Sequence, residues 1–171
     1  MRPSPDSYPS YFNTYIKLIE ETDVITALLN HGDEADLFFS KINESETHYR
    51  YAEGKWTIKE ILQHINDAER VFCYRALAFA RREQAVLPGF NENQYAANSH
   101  ANNLSWSSLL NDLKIDRMNS ISLFSSFSND DLDYIGKASD YSISVRALGY
   151  IIAGHCIHHM NIVKERYLSI S

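Results

Sequence analysis

Beyond residue 9 the chain contains a single proline, Pro88, so little in its backbone chemistry interrupts helix. Helical periodicity occupies four stretches. The first runs from about Tyr11 to Ile42, with Val24, Leu28, Leu29, Ala35, Leu37 and Phe38 in its later part. Gly32 is its expected weak point, where a break would fall. The second begins at Thr57, an N-cap residue with Glu60 three positions on. Ile58, Ile61, Leu62, Ile65, Ala68 and Phe72 then form a stripe leading toward Arg82. The third starts near Ser105 and carries Leu109, Leu110, Leu113, Ile115, Met118, Ile121 and Phe124. The fourth starts at Ser142 or Ser144, either a good N-cap, and passes through Leu148, Ile152, Ile162 and Val163 to about Tyr167.

Strand-type alternation is weak throughout. Four helical stretches of bundle length predict an all-α four-helix bundle. With 171 residues the chain has the size of one domain, 1–171, preceded by an extended segment over residues 1–10. About twenty residues, Arg82 to Asn103, link the second and third helices and include Leu87-Pro88-Gly89-Phe90 and Tyr95, which could dock. A linker this long is usually functional or ordered by its own packing. Ser128 to Tyr141 is shorter, with room for a turn or hairpin.

Composition narrows the partners. A formal net charge of −6 leaves no basic face for nucleic acid. No apolar run approaches the ~20 residues of a membrane span, and Met1 to Tyr11 lacks the apolar core of an export signal. Two cysteines, Cys73 and Cys156, lie in apolar-periodic stretches, where free thiols pack as small hydrophobes. A reducing cytoplasm is expected, with a small-molecule substrate as partner.

The fourth helix contains Gly154-His155-Cys156-Ile157-His158-His159. His155 and His159 are one turn apart on one helix face. With His155 at zero on a helical wheel, Leu148, His159 and Ile152 fall at roughly +20°, +40° and +60°. His158 falls near −60°, at the edge of the stripe, so periodicity leaves a His155/His158 pair open. His64 occupies a comparable setting on the second helix, with Ile61, Ile65 and Ala68 around it. A lone histidine on an apolar face is more often a satisfied core residue than a ligand. Three imidazoles on two such stripes could instead satisfy one another through a divalent transition metal. His31, His48 and His100 lack this setting and read as surface or loop residues.

Asp67, three residues after His64, could border such a site as a carboxylate or base, although a solvated charge is the simpler reading. Glu69 should point away to the surface. Cys156 suits packing better than ligation, and Tyr150 and Arg146 should face away from the histidines. Neither a glycine-rich phosphate loop nor a serine nucleophile elbow occurs.

Gly54-Lys55-Trp56-Thr57-Ile58-Lys59-Glu60-Ile61-Leu62 followed by His64 and Asp67-Ala68-Glu69-Arg70 resembles the second helix of DinB-like proteins, the damage-inducible metalloprotein family. Tyr74-Arg75-Ala76-Leu77, Leu87-Pro88-Gly89-Phe90 and Ser144-Val145-Arg146-Ala147-Leu148 continue the resemblance through Gly154-His155 to His159, over about residues 10 to 168. It implies a four-helix bundle, often a homodimer, with a divalent metal held by His64, His155 and His159. It also implies a metal-dependent hydrolase, or a transferase using a low-molecular-weight thiol such as bacillithiol or mycothiol. Zinc or nickel, and also iron, would suit three imidazoles. A non-enzymatic metal-binding or stress-response module is the alternative. Asn91 departs from the pattern, since an aspartate is expected after Leu-Pro-Gly-Phe.

Overall fold

The structure, a computed structural model, describes residues 1–168. The N-terminal segment is not extended throughout. Pro5–Ser7 and Ser10–Phe12 form short 3-10 turns, and the second seats Phe12 in the core. The proline preset of φ near −65° explains why turns start at Pro5 and just after Pro9.

Helix α1 covers Asn13–Ile16 and α2 covers Val24–Phe39. The break in the first periodic stretch therefore falls before Val24, not at Gly32. Asp23 sets it, because its carboxylate accepts the Thr26 N–H at 2.8 Å and caps α2. Gly32 stays helical and serves packing instead. A Cβ there would stand 2.8 Å from Cγ of Arg117.

Helix α3, Ile58–Ala80, opens on the expected capping box between Thr57 and Glu60. It ends where Arg82 turns into the left-handed region at φ 65°. The following linker is ordered: it holds helix α4, Glu92–Asn98, and a 3-10 turn at Ala101–Asn103. Asn91 caps α4 by accepting the Gln94 N–H at 3.0 Å, a role asparagine fills as well as aspartate. Helix α5 covers Trp106–Ser125, and α6 covers Asn129–Leu132. Strands β1, Ile135–Ala138, and β2, Tyr141–Ser144, make an antiparallel hairpin with Ile135 opposite Ser144. Ser144 caps α7, Val145–Arg166, which settles the choice between Ser142 and Ser144.

The four long helices α2, α3, α5 and α7 form a four-helix bundle in which α3 and α2 each pack against both α7 and α5. None is long and apolar enough to cross a membrane. Short α1 lies against α7. Leu87 bridges to the hairpin, its N–H donating to Lys137 O and its carbonyl accepting from Ser139 N. This docks the Pro88-Gly89-Phe90 segment beside α3.

Two apolar clusters fill the bundle. One contains Ala68, Phe72, Phe79, Phe124 and Ile152; the other contains Phe39, Leu62, Ile65, Leu109, Cys156 and Met160. His64 and His155 therefore sit where the two meet.

Several expected stripe residues are outside the core: Leu29, Leu37, Ile115 and Met118 are exposed. The inner face of α5 instead carries Asp116, Arg117 and Ser120. The reason is Glu69, which is buried rather than on the surface. Arg117 grips it bidentately at 2.9 and 3.0 Å, and Ser120 donates to it at 2.6 Å. Arg117 also donates to Leu28 O, so α2, α3 and α5 meet at one charged knot.

Candidate metal centre

His64 from α3 and His155 and His159 from α7 converge at mid-bundle. Nε2 of His155 lies 3.0 Å from Nε2 of His64 and 3.1 Å from Nε2 of His159. His64 and His155 are buried, and His159 is partly so. His158, the competitor on the wheel, stays out of the trio and packs edge-on to Tyr15 at 5.2 Å between ring centroids. The spacing of α7 explains the split: one turn separates His155 from His159, whereas His158 leans to the edge.

Aromatic rings hold the trio in place. Trp56 lies 4.9 Å from the His64 ring, and Tyr15 and Phe72 pack edge-on to His155 at 5.2 and 6.1 Å. Burial disfavours the charged imidazolium, so the His64 pKa is pushed down to about 4. Burial, and then the neighbouring histidines, hold His155 and His159 well below the ordinary range. All three are therefore neutral near pH 7, the form that ligates.

Neutral imidazoles fit a cation here better than they fit one another. Each ring has one N–H, so three Nε2 atoms brought together cannot all be satisfied by mutual hydrogen bonds. Nδ1 of His159 is buried without a hydrogen-bond partner, which leaves that ring's polar contact on its Nε2 side. Metal–nitrogen bonds of about 2.1 Å at near-tetrahedral to octahedral angles put ligand nitrogens roughly 3.0–3.4 Å apart, close to the two separations seen.

The depressed pKa values carry a sign for the metal-free protein. Unfolded histidine takes up protons below about 6.5, whereas the folded trio resists until near 4 or lower. Stability is full above about pH 6.5 and falls as pH drops from there. The slope is about 1.4 kcal/mol per pH unit for each resisting histidine. Chelator-treated protein should thus show a denaturation midpoint that falls steeply between pH 7 and 5, and His155→Leu should flatten the profile. A flat wild-type profile would contradict the neutral trio.

A cavity of about 270 Å³ opens beside the trio. His64 and His155 line it, together with Phe12, Tyr15 and Phe72 and, from the docked linker, Phe90. Asp67 does not line this cavity. It accepts a hydrogen bond from Gln63 at 2.8 Å and one from Arg70 at 3.4 Å, and borders a separate depression with Tyr95. Cys156 is fully buried, with its thiol pushed up to about 12 by burial, and Cys73 is pushed up to about 11. Neither is a thiolate at neutral pH. Tyr150 donates to Glu21 O and Arg146 pairs with Asp133, both away from the trio.

The contributions of Tyr11, Tyr15 and the hairpin to the cavity are not evident from periodicity, since they arrive from elements packed across the bundle end. Arg75 does carry a signal. His64, Ala68, Phe72 and Arg75 follow at helical spacing along one stripe of α3.

Comparison with known proteins accords with this architecture. The family model described as the DinB superfamily matches residues 27–163. Among solved structures, YfiT from Bacillus subtilis, described as a probable metal-dependent hydrolase with an unusual four-helix bundle topology, superimposes with a TM-score of 0.74. That match has 15% identity and covers 83% of this chain and 82% of that one. A mycothiol-dependent maleylpyruvate isomerase matches with a TM-score of 0.67 and 12% identity, over 86% of this chain and 60% of that one. No curated protein matches.

Proposed function

This chain belongs to the DinB superfamily, and on that premise we propose that it is a metal-dependent enzyme acting on a small molecule, with thiol S-transfer as its reaction. The observation that carries this reading is the convergence of three neutral, largely buried imidazoles, two of which, His64 and His155, line a cavity. His64, His155 and His159 would hold a divalent metal, zinc or nickel being the best matches to three nitrogens, with iron also compatible. Such an ion would lower the pKa of a thiol or water bound to it.

The chain's own groups supply the rest. Phe12, Phe72 and Phe90 make an apolar wall that limits water and suits an organic electrophile. Burial and neighbouring charge push the Tyr11 hydroxyl up to about 12, and burial raises Tyr15 as well. Both hold their protons at Oη near neutral pH and can donate a hydrogen bond to a departing group. In the transfer the thiol gives its proton to solvent, its sulfur forms a bond to the electrophilic carbon, and the leaving group departs with the electron pair of the bond that breaks. Cys73 and Cys156, both free, are consistent with a reducing cytoplasm where low-molecular-weight thiols abound. Exposed Leu29 and Met118 border one groove on α2 and α5 and support a homodimer as part of the same reading.

The description of YfiT favours hydrolysis at the same site. Two measurements separate the readings. Elemental analysis should find about one divalent metal per wild-type chain and little in His64→Ala or His155→Ala. Equal metal in all three would remove the premise. Metal-loaded protein incubated with a low-molecular-weight thiol and a chlorinated aromatic electrophile should consume thiol. Consumption at the protein-free rate would reject S-transfer, and ester cleavage in its place would support the hydrolase. Metal without either turnover would favour a non-enzymatic metal-binding or stress-response module.

A further inference from the structure

Arg75 lines the same cavity as His64 and His155 but has no part in holding the trio. As a residue it is only 9% exposed, and its guanidinium faces the cavity. Its carbon sits 6.0 Å from the Phe72 ring centroid and 5.8 Å from that of Phe90. Among the described residues one of its five N–H donors is used, donating from Nη2 to Pro88 O at 3.0 Å. Among the described residues it forms no ion pair. The carboxylate that does line the cavity, Glu92, is exposed and is not within ion-pair distance of it. The Tyr11 hydroxyl is near enough to feel its charge.

A guanidinium stays ionised in proteins, and a partly desolvated one with no carboxylate partner favours an anion beside it. The other buried arginines are answered: Arg117 by Glu69 and Arg146 by Asp133. We infer that Arg75 is a specificity residue whose counter-charge is the carboxylate of the molecule bound in the cavity. This rests on the reading of the trio as a metal-dependent reaction centre. Arg75 follows His64 by eleven residues, about 16 Å along the helix axis, and its side chain leans back toward the N-terminal end. The two anchor points are thus separated by on the order of 10 Å. The substrate is an elongated, mainly apolar molecule with its reacting group at one end and a carboxylate at the other.

Calorimetric titration with paired probes tests this. Zinc-loaded wild type should bind 6-mercaptohexanoate at least about tenfold more tightly than 6-mercaptohexanol, the margin expected of a charge-assisted bidentate contact. Arg75→Met should lose that preference while still binding the alcohol. If it fails to fold by circular dichroism, Arg75→Lys replaces it and should keep only part of the preference. Equal affinity of acid and alcohol for wild type, or an undiminished preference in the variant, would overturn the assignment. So would an equal loss for both probes, which marks a residue that merely anchors Pro88. Hexanoate and hexanol with metal-stripped protein separate the two premises. An Arg75-dependent preference that survives metal removal upholds the carboxylate subsite on its own, whereas wild type that takes up no zinc overturns the metal reading alone.

Discussion

Glu69→Leu should destabilise the protein by about 3–5 kcal/mol, the largest single-site effect expected in this fold. The substitution leaves Arg117 fully buried with its charge unanswered and removes the acceptor for Ser120. Burial opposes the charge on Arg117, and Glu69 restores it. Leu28 O alone cannot replace a bidentate carboxylate. Because the cost comes from the orphaned charge, Glu69→Leu/Arg117→Met should be less destabilised than the single variant. Urea denaturation of wild type, Glu69→Leu and the double variant measures this. A single variant within about 1 kcal/mol of wild type, or a double variant no more stable than the single, would show that the knot is not the source.

Gly154→Ala should cost about 2–3 kcal/mol and weaken metal binding at least tenfold. A Cβ at Gly154 would stand 2.3 Å from the Tyr15 carbonyl oxygen and 2.6 Å from its carbon. Both are backbone atoms, so no rotamer change relieves the clash. Short α1 must instead move away from α7. That movement carries the Tyr15 ring off His155, which it now packs edge-on. Stability falls through lost packing, and the trio loses the wall that orients its central ring. Denaturation midpoints report the first effect, and zinc titration against a competing chelator reports the second. Unchanged zinc affinity in a destabilised variant would separate Tyr15 from the site.

Much of the bundle is written locally. Thr57 with Glu60, Ser105 and Ser144 announce three of the four long helices, because capping depends on residues within one turn. The break at Asp23 is equally local, yet Gly32 offers a competing signal within the same stretch. A glycine in a helix is costly in isolation, and only Arg117 packed against it shows what its missing side chain is for. The burial of Glu69 is hidden from a local reading for the same kind of reason. Its own helix gives it a polar neighbourhood, and its buried partner arrives 48 residues later. The β1–β2 hairpin was legible only as a segment of suitable length, since its alternation is four residues a strand.

For the site, the sequence by itself placed His155 and His159 on one buried face and put His64 in a matching setting, because helical period is a property of the local chain. It left His158 as a competitor until resemblance to a family singled out the trio. Only the tertiary structure decided that the three Nε2 atoms meet, that a cavity opens beside two of them, and that Arg75 lines it without a counter-charge. Those facts depend on how α1, α3, α7 and the docked linker pack together, and packing joins residues whose separation along the chain no periodicity records.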